Sequence, residues 1–143
     1  MIDVKDLMVG NFVKTPIGVV EVYNIINDAI IADTRDICYA KGLEGIPVTK
    51  EILKNIGFEE QEDFPIGGVF YRYWDKDYKY KLDVDEGYTN SGAKWYVHID
   101  NDVCNTIGSG EFTYVHELQN LVRINCKADL PITKEMIDGL ESR

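Results

Sequence analysis

The chain has 143 residues, of which 45% are hydrophobic and 28% are charged, and its formal net charge at pH 7 is −10. This length supports one domain with a hydrophobic core that needs no disulfide or metal. Phosphate backbones repel so acidic a chain, which disfavours nucleic-acid binding except through a local basic patch. The acidic surface could instead imitate nucleic acid for a basic partner, although solubility is the simplest explanation.

We expect a cytoplasmic protein without a membrane segment. No stretch approaches the roughly 20 consecutive apolar residues that a membrane helix requires. The first residues lack the basic and apolar segments of a secretory signal. Cys38, Cys104 and Cys126 form no CxxC pair. An odd number of cysteines without such a pair indicates reduced intracellular thiols rather than a disulfide framework.

Residues 1–45 are rich in strand signals separated by turns. A turn at Gly10-Asn11 precedes a short strand, and β-branched residues predict a second strand over Val19–Ile26. A hairpin turn separates it from a third strand, Ala29–Asp33, and Asp36–Ala40 is a candidate fourth. Short strands joined by tight turns predict a small bent sheet or an SH3-like barrel.

The clearest helix signal lies at residues 46–58, which read IPVTKEILKNIGF. Thr49 is a favourable N-cap, because its hydroxyl accepts from free backbone N–H groups of the first turn. Val48 and Leu53 occupy the two positions of a hydrophobic staple. Gly57 is placed to adopt the left-handed conformation that ends a helix. These signals predict a helix over Lys50–Ile56.

A similar phrase, LPITKEMIDGL, occurs near the C-terminus at residues 130–140. The similarity ends where helix-start chemistry ends, since Gly57 and Phe58 correspond to Glu141 and Ser142. We therefore interpret both phrases as Pro-entered, Thr-capped helix starts rather than as two halves of a duplicated site. Thr133 is the predicted cap of the second, shorter helix.

The sequence from residue 67 onward predicts an antiparallel meander. Charged and apolar residues alternate over residues 75–85, which indicates a strand with one exposed and one buried face. Gly68–Trp74 is the predicted hairpin partner of this strand, and a turn at Asn90-Ser91-Gly92 leads to a further strand over Ala93–Asp100. The residues predicted to face inward are Tyr78, Tyr80, Leu82, Val84, Trp95, Val97 and Ile99. Glu59–Asp63 is predicted to be an acidic connector.

Residues 101–111 are predicted to form a loop that is most flexible at Gly108-Ser109-Gly110. Apolar residues then recur at helical spacing, which predicts an amphipathic helix over Thr113–Ile124. The predicted fold is a single α+β domain over residues 1–143. In it, a β-rich N-terminal part (1–45) precedes a short helix and an antiparallel meander covered by a C-terminal helix (46–143).

The sequence contains no pattern that assigns a catalytic residue, a metal ligand or a cofactor. His98, Cys104 and a neighbouring aspartate could share a metal, but a chain with two histidines and no close pair of cysteines lacks a convincing set of zinc ligands. The backbone N–H groups of Gly108-Ser109-Gly110 could bind an anion, but the neighbouring carboxylate of Glu111 disfavours it. Cys38, Cys104 or Cys126 could pair with His98 or His116 as nucleophile and base, although buried structural cysteine is the commoner case.

Aromatic and polar side chains provide the candidate binding residues. Exposed aromatics stack on rings or anchor protein partners, and a cluster of polar residues on one helix face can contact a ligand. The candidates are Tyr71, Tyr73, Tyr96, His98, His116, Gln119 and Asn120. The competing interpretation is structural, with the tyrosines covered as core. In that interpretation the helix residues bind strand ends of the meander.

Three segments carry a resemblance to a known family: DLMVGNFV at residues 6–13, IPVTKEILKNIGF at 46–58 and YVHELQNL at 114–121. They resemble the IGN-V opening, the P-x-T-x-E helix ending in GF and the VHQLQNL helix of small uncharacterised proteins of phages and mobile elements of gut Bacteroidales. After Leu121 the chain departs from the family, which usually continues towards an LTGEEL ending. The resemblance implies a biological setting, a phage or mobile element, and does not imply a particular reaction.

Three hypotheses for the function follow. The first is a non-catalytic binding or interaction protein of a phage or mobile element, which acts on a host protein or a small ligand and has an anti-defence or regulatory role. The second is a small hydrolase or transferase that uses a histidine with a cysteine or carboxylate. The third is a minor virion or assembly component. The sequence leaves the oligomeric state open.

Overall fold

The computed structural model of the chain describes residues 2–63, 65, 67–87 and 92–141. These residues form two antiparallel sheets, three α-helices and two short 3-10 turns, Val4–Asp6 and Ala40–Gly42, which confirms the predicted α+β class. The turn predicted at Asn90-Ser91-Gly92 lies outside the described residues except for Gly92.

The N-terminal sheet has four strands in sequential order and curls into a half-barrel. The strands are β1 (Phe12–Thr15), β2 (Gly18–Ile26), β3 (Ala29–Ala32) and β4 (Ile37–Tyr39). Beyond β4 the chain returns to β1, where Lys14 and Glu44 exchange two backbone hydrogen bonds of 2.9 Å. The inside is a small apolar core that includes the fully buried side chains of Val13, Val22 and Ile30. This arrangement is the bent sheet that the turn-rich sequence predicts.

The second sheet is a meander of five strands, also in sequential order. The strands are β5 (Glu59–Glu62), β6 (Val69–Trp74), β7 (Tyr80–Glu86), β8 (Trp95–Asn101) and β9 (Thr106–Phe112). Its inner face follows the predicted alternation, with Tyr80, Leu82, Val84, Trp95, Val97 and Ile99 all buried. Tyr78 was predicted to be buried as well, but its side chain is 66% exposed because the residue lies in the turn before β7 with φ 57°.

The helices are α1 (Lys50–Ile56), α2 (Val115–Cys126) and α3 (Lys134–Glu141). The bounds of α1 are those predicted: the hydroxyl of Thr49 accepts from the N–H of Ile52 at 3.2 Å, and Gly57 ends the helix at φ 122°. Helix α3 begins directly after Thr133, as predicted. The helices pack with the inner face of the meander in one apolar core.

Strand β9 corrects the prediction of a flexible loop at residues 101–111. Gly108 and Gly110 lie in this strand beneath α2, where an added Cβ would collide with the side chains of Asn125 and Leu121. The glycines therefore serve close packing of helix on strand rather than flexibility. They also do not form an anion site, because α2 begins only at Val115.

Strand β5 corrects the prediction of an acidic connector over Glu59–Asp63. Its four residues pair with β6 from Glu59 opposite Arg72 to Glu62 opposite Val69. Charged residues have low strand propensity, so the sequence signal for this element is weak. The strand forms because β6 offers it a free edge of backbone donors and acceptors.

Candidate binding groove

The structure removes Tyr71 and Tyr73 from the candidate binding surface. Both lie on the inner face of the meander and are 5% and 8% exposed. Tyr71 packs edge-on against Trp95 with ring centroids 6.1 Å apart, and Tyr73 packs against Phe58 at 5.3 Å. Both rings are covered as core, which is the alternative that the sequence left open, and burial raises the pKa of both phenols.

Gln119 and Asn120 bind the segment before β1 and its first residue, not the strand ends of the meander. The side chain of Gln119 accepts from the N–H of Phe12 at 2.9 Å and donates to the carbonyl oxygen of Gly10 at 3.1 Å. Asn120 accepts from the side chain of Asn11 at 2.8 Å and donates to the carbonyl oxygen of Asp6 at 3.0 Å. Both side chains therefore fix α2 in place, as the structural interpretation proposed. They fix it to the half-barrel, whereas the sequence suggested the meander.

His116 is a buried structural side chain and not an accessible base. It is 4% exposed, and its ring stacks on that of Tyr114 with centroids 5.8 Å apart. Its Nδ1 has no hydrogen-bond partner among the residues that the structure describes. Burial lowers the pKa of His116, against the opposing effect of the Glu117 and Asp6 carboxylates. The imidazole is accordingly held neutral inside the protein.

Tyr96 and His98 lie on an accessible surface, the outer face of the meander. This face carries a network of charges: Arg72 pairs with Asp83 at 2.8 Å, and Lys81 lies 3.5 Å from Asp83 and 3.3 Å from Asp100. Because these groups neutralise one another, few of them are free to recognise a ligand.

The surroundings of His98 differ from those of a catalytic base. Both Asp100 Oδ1 and Thr106 Oγ1 lie 3.1 Å from the same ring atom, Nε2. In a nucleophile–base–acid triad, the carboxylate and the nucleophile contact opposite ring nitrogens. The two buried or half-buried thiols, Cys38 and Cys126, have raised pKa values, about 11 in the case of Cys126, because burial disfavours the thiolate.

The sheet edges provide a different candidate site. Strand β5 presents acidic residues at its edge, which discourages pairing with another strand. The edge of β1 is engaged by Glu44, and the end of β9 continues into a pairing of Tyr114 with Pro47. Strand β4 carries no such protection: within the described part of the chain it pairs with β3 alone.

Along this edge, the backbone of β4 has hydrogen-bonding groups without a partner in the described part of the chain. Cys38 lies opposite Ile30, and the flanking hydrogen bonds, Ala32 N–H to Asp36 O and Ala40 N–H to Asp28 O, show which residues point towards β3. In an antiparallel pair, alternate residues point their N–H and C=O groups to opposite sides. The N–H and C=O groups of Ile37 and Tyr39 therefore point outward.

Beside this edge lies an apolar groove, which we call the β4 groove. It is a cavity of about 330 Å³ lined by β4 and by the turn between β1 and β2. Large apolar side chains are exposed along it: Ile17 at 61%, Ile37 at 55% and Tyr39 at 60%. Asp36 lies at one end of the strand and Lys41 beyond the other. The β4 groove thus combines free backbone groups with exposed apolar surface.

Sequence reasoning identified a possible fourth strand at Asp36–Ala40 but not this groove. The signal available was Ile-Cys-Tyr, a short β-forming run without charges. Whether such a strand lies at the centre or at the edge of a sheet depends on pairing, which one sequence does not reveal.

Comparisons with known proteins give no relative: no family profile, curated protein or solved structure matches the chain. Among the described residues, no helix has the length and apolar character needed to span a membrane.

Proposed function

We propose that the protein is a non-catalytic interaction module that binds an extended segment of a partner polypeptide along the β4 groove. The observation that carries this proposal is the open edge of β4, where outward backbone groups of Ile37 and Tyr39 adjoin exposed apolar side chains. A segment added there would extend the N-terminal sheet by one strand, a common mode of peptide recognition.

The chemistry of the groove favours a polypeptide over a small molecule. Ile37 and Tyr39 are two residues apart on one strand, so their outward groups repeat at the spacing of a β-strand, roughly 7 Å. A second extended backbone matches both pairs of donors and acceptors at once. The apolar side chains beside them stabilise the complex by removal from water, which supplies affinity that backbone hydrogen bonds alone lack.

The setting is a further part of the proposal. The family resemblance of the opening, central and helix segments points to a phage or mobile element and to a cytoplasmic host protein as the partner. An anti-defence or regulatory role fits that setting.

The proposal is tested with a displayed peptide library selected against the protein, followed by affinity measurement on three variants. Ile37→Pro removes the outward N–H without removing a hydrogen bond to β3, because that group does not pair with β3. Ile37→Ala is the matched control that truncates the side chain and keeps the N–H. Ile124→Ala, on the exposed surface of α2, controls for loss of an apolar side chain elsewhere.

We expect Ile37→Pro to lose at least about tenfold in affinity relative to Ile37→Ala, with Ile124→Ala unchanged. Circular dichroism checks that the variants fold. Equal binding by the proline and alanine variants would overturn strand addition. Light scattering that shows a dimer, dissociated by Ile37→Pro, would mean that a second copy of the chain fills the groove and would overturn the proposal of a foreign partner.

A further inference from the structure

We infer that the partner segment runs antiparallel to β4, with an acidic residue near its amino-terminal end, an apolar centre and a basic residue near its carboxyl-terminal end. This inference rests on the proposed function and specifies the class of partner. It depends on three features of the groove: the direction of the free backbone groups, the burial of the three β4 side chains and the charges at the two ends.

The backbone geometry favours an antiparallel partner. Ile37 and Tyr39 can each form a pair in which both residues exchange N–H to O hydrogen bonds, so the edge accepts up to two such pairs. Antiparallel pairing is slightly more stable per residue than parallel pairing, and this matters most for so short a strand. It also continues the antiparallel order of β1 to β4.

The β4 side chains define the centre of the partner segment. Ile37 and Tyr39 point to solvent, and directly opposite residues lie on the same face of an antiparallel pair, so apolar partner residues cover them. The residue opposite Cys38 points the other way, towards the cavity next to Pro16 and Gly42. An aliphatic side chain fits there, since the lining is mainly apolar.

The two ends of the groove carry opposite charges. Asp36 precedes β4, where its carboxylate accepts from the hydroxyl of Thr34 at 2.6 Å. The neighbouring Arg35 does not neutralise it, because its guanidinium lies 3.7 Å from the ring centroid of Tyr23 and donates to the carbonyl oxygen of Asp33. Lys41 follows β4. Neither Asp36 nor Lys41 has an ion pair among the described residues.

Charge complementarity then determines the order of residues in the partner. An antiparallel segment brings its amino-terminal end to Lys41 and its carboxyl-terminal end to Asp36. Opposite charges at these two positions attract, and like charges placed there repel. The order of charges along the segment is therefore acidic first and basic last.

The test uses two blocked peptides of identical composition. One has Glu, Thr, Val, Leu, Val and Lys in that order from its amino end, and the other has the Glu and Lys exchanged. Chemical-shift titration of the isotope-labelled protein measures both affinities at low salt. We expect the first peptide to bind about fivefold more tightly, with the ratio falling as salt screens the charges.

A charge-exchanged variant, Asp36→Lys with Lys41→Glu, provides the matched reversal. This variant is expected to bind the peptide with exchanged Glu and Lys about fivefold more tightly than the first peptide. Equal affinity of the two peptides for the unaltered protein would overturn the inferred order but leave strand addition standing. The opposite preference would indicate parallel pairing and would also overturn the inference. If neither peptide shifts the amides of Ile37 and Tyr39, and no library peptide does, the proposed function itself fails.

Discussion

The side-chain oxygen of Gln119 accepts a 2.9 Å hydrogen bond from the backbone N–H of Phe12. These residues are 107 positions apart, and the bond is buried between α2 and the first strand of the half-barrel. Together with the bond from Gln119 to Gly10, it fixes α2, which packs on β9 of the meander, to the half-barrel. The segments at residues 6–13 and 114–121 therefore contact each other, and Gln119 and Asn120 have a structural role there.

Replacement of Gln119 by Met should destabilise the protein by about 2 kcal/mol, because it leaves a buried donor at Phe12 and an acceptor at Gly10 without partners. The side chain has nearly the same volume, so the loss reflects hydrogen bonds rather than a cavity. Urea denaturation measures the change. Gln61→Met, on the outer face of the meander, is the control and should remain within about 0.5 kcal/mol. Equal effects of the two substitutions would contradict the role assigned to Gln119.

Stability should fall in mild acid because of His116. Its folded-state pKa lies below the ordinary value of about 6.5, so between the two values the unfolded chain binds more protons. The free energy of unfolding is therefore highest above the ordinary pKa and decreases as pH falls through it. Denaturation at several pH values for the native protein and for His116→Gln measures this. The difference between the two proteins should change with pH, and a constant difference would refute the assignment.

Gly45 should not tolerate a methyl group, because an added Cβ would overlap the ring of Tyr114. We expect Gly45→Ala to cost about 1–3 kcal/mol, as overpacking does. In a Tyr114→Ala background the same substitution should cost much less, since the ring is gone. Gly42→Ala is the matched control, because its added Cβ would lie 3.5 Å from Pro16, an ordinary contact. Additive effects of the first two substitutions would exclude a direct clash.

Only Cys104 should react rapidly with a thiol reagent at neutral pH. Its side chain is exposed, whereas burial raises the pKa of Cys38 and that of Cys126. The time course of modification should show one fast thiol and two slow ones that become fast in denaturant. Cys104→Ser should remove the fast phase alone. A second fast thiol in the folded protein would reopen the hypothesis of a nucleophilic cysteine.

The repeated PxTKE phrase illustrates which local predictions succeed. Both copies begin helices at the predicted residue, and in α1 the Thr49 hydroxyl caps the first turn. Such starts are predictable because cap and staple interactions involve only near neighbours in the chain. Their relationship in space was not predictable. The helices pack against each other, and the side chain of Asn55 in α1 donates to the carbonyl oxygen of Met136 in α3 at 3.1 Å. Two similar starts thus produce one pair of packed helices.

The two strands that the sequence did not predict, β5 and β9, share one physical cause. Strand β5 contains three glutamates, and β9 contains Gly108 and Gly110, so intrinsic propensity argues against both strands. Each forms because a neighbouring strand pairs with it, and β9 also because glycine lets α2 approach closely. Pairing is a long-range interaction, and it overrides local preference at both edges of the meander.

The sequence by itself determined the α+β class, the bounds of α1 and the inward face of β7 and β8, because caps and alternation depend on neighbouring residues. Only the tertiary structure decided which side chains remain accessible. It buried Tyr71, Tyr73, His116 and Gln119, and it left Ile37 and Tyr39 on an open edge. Accessibility depends on which elements cover one another, and that follows from contacts between residues far apart in the chain.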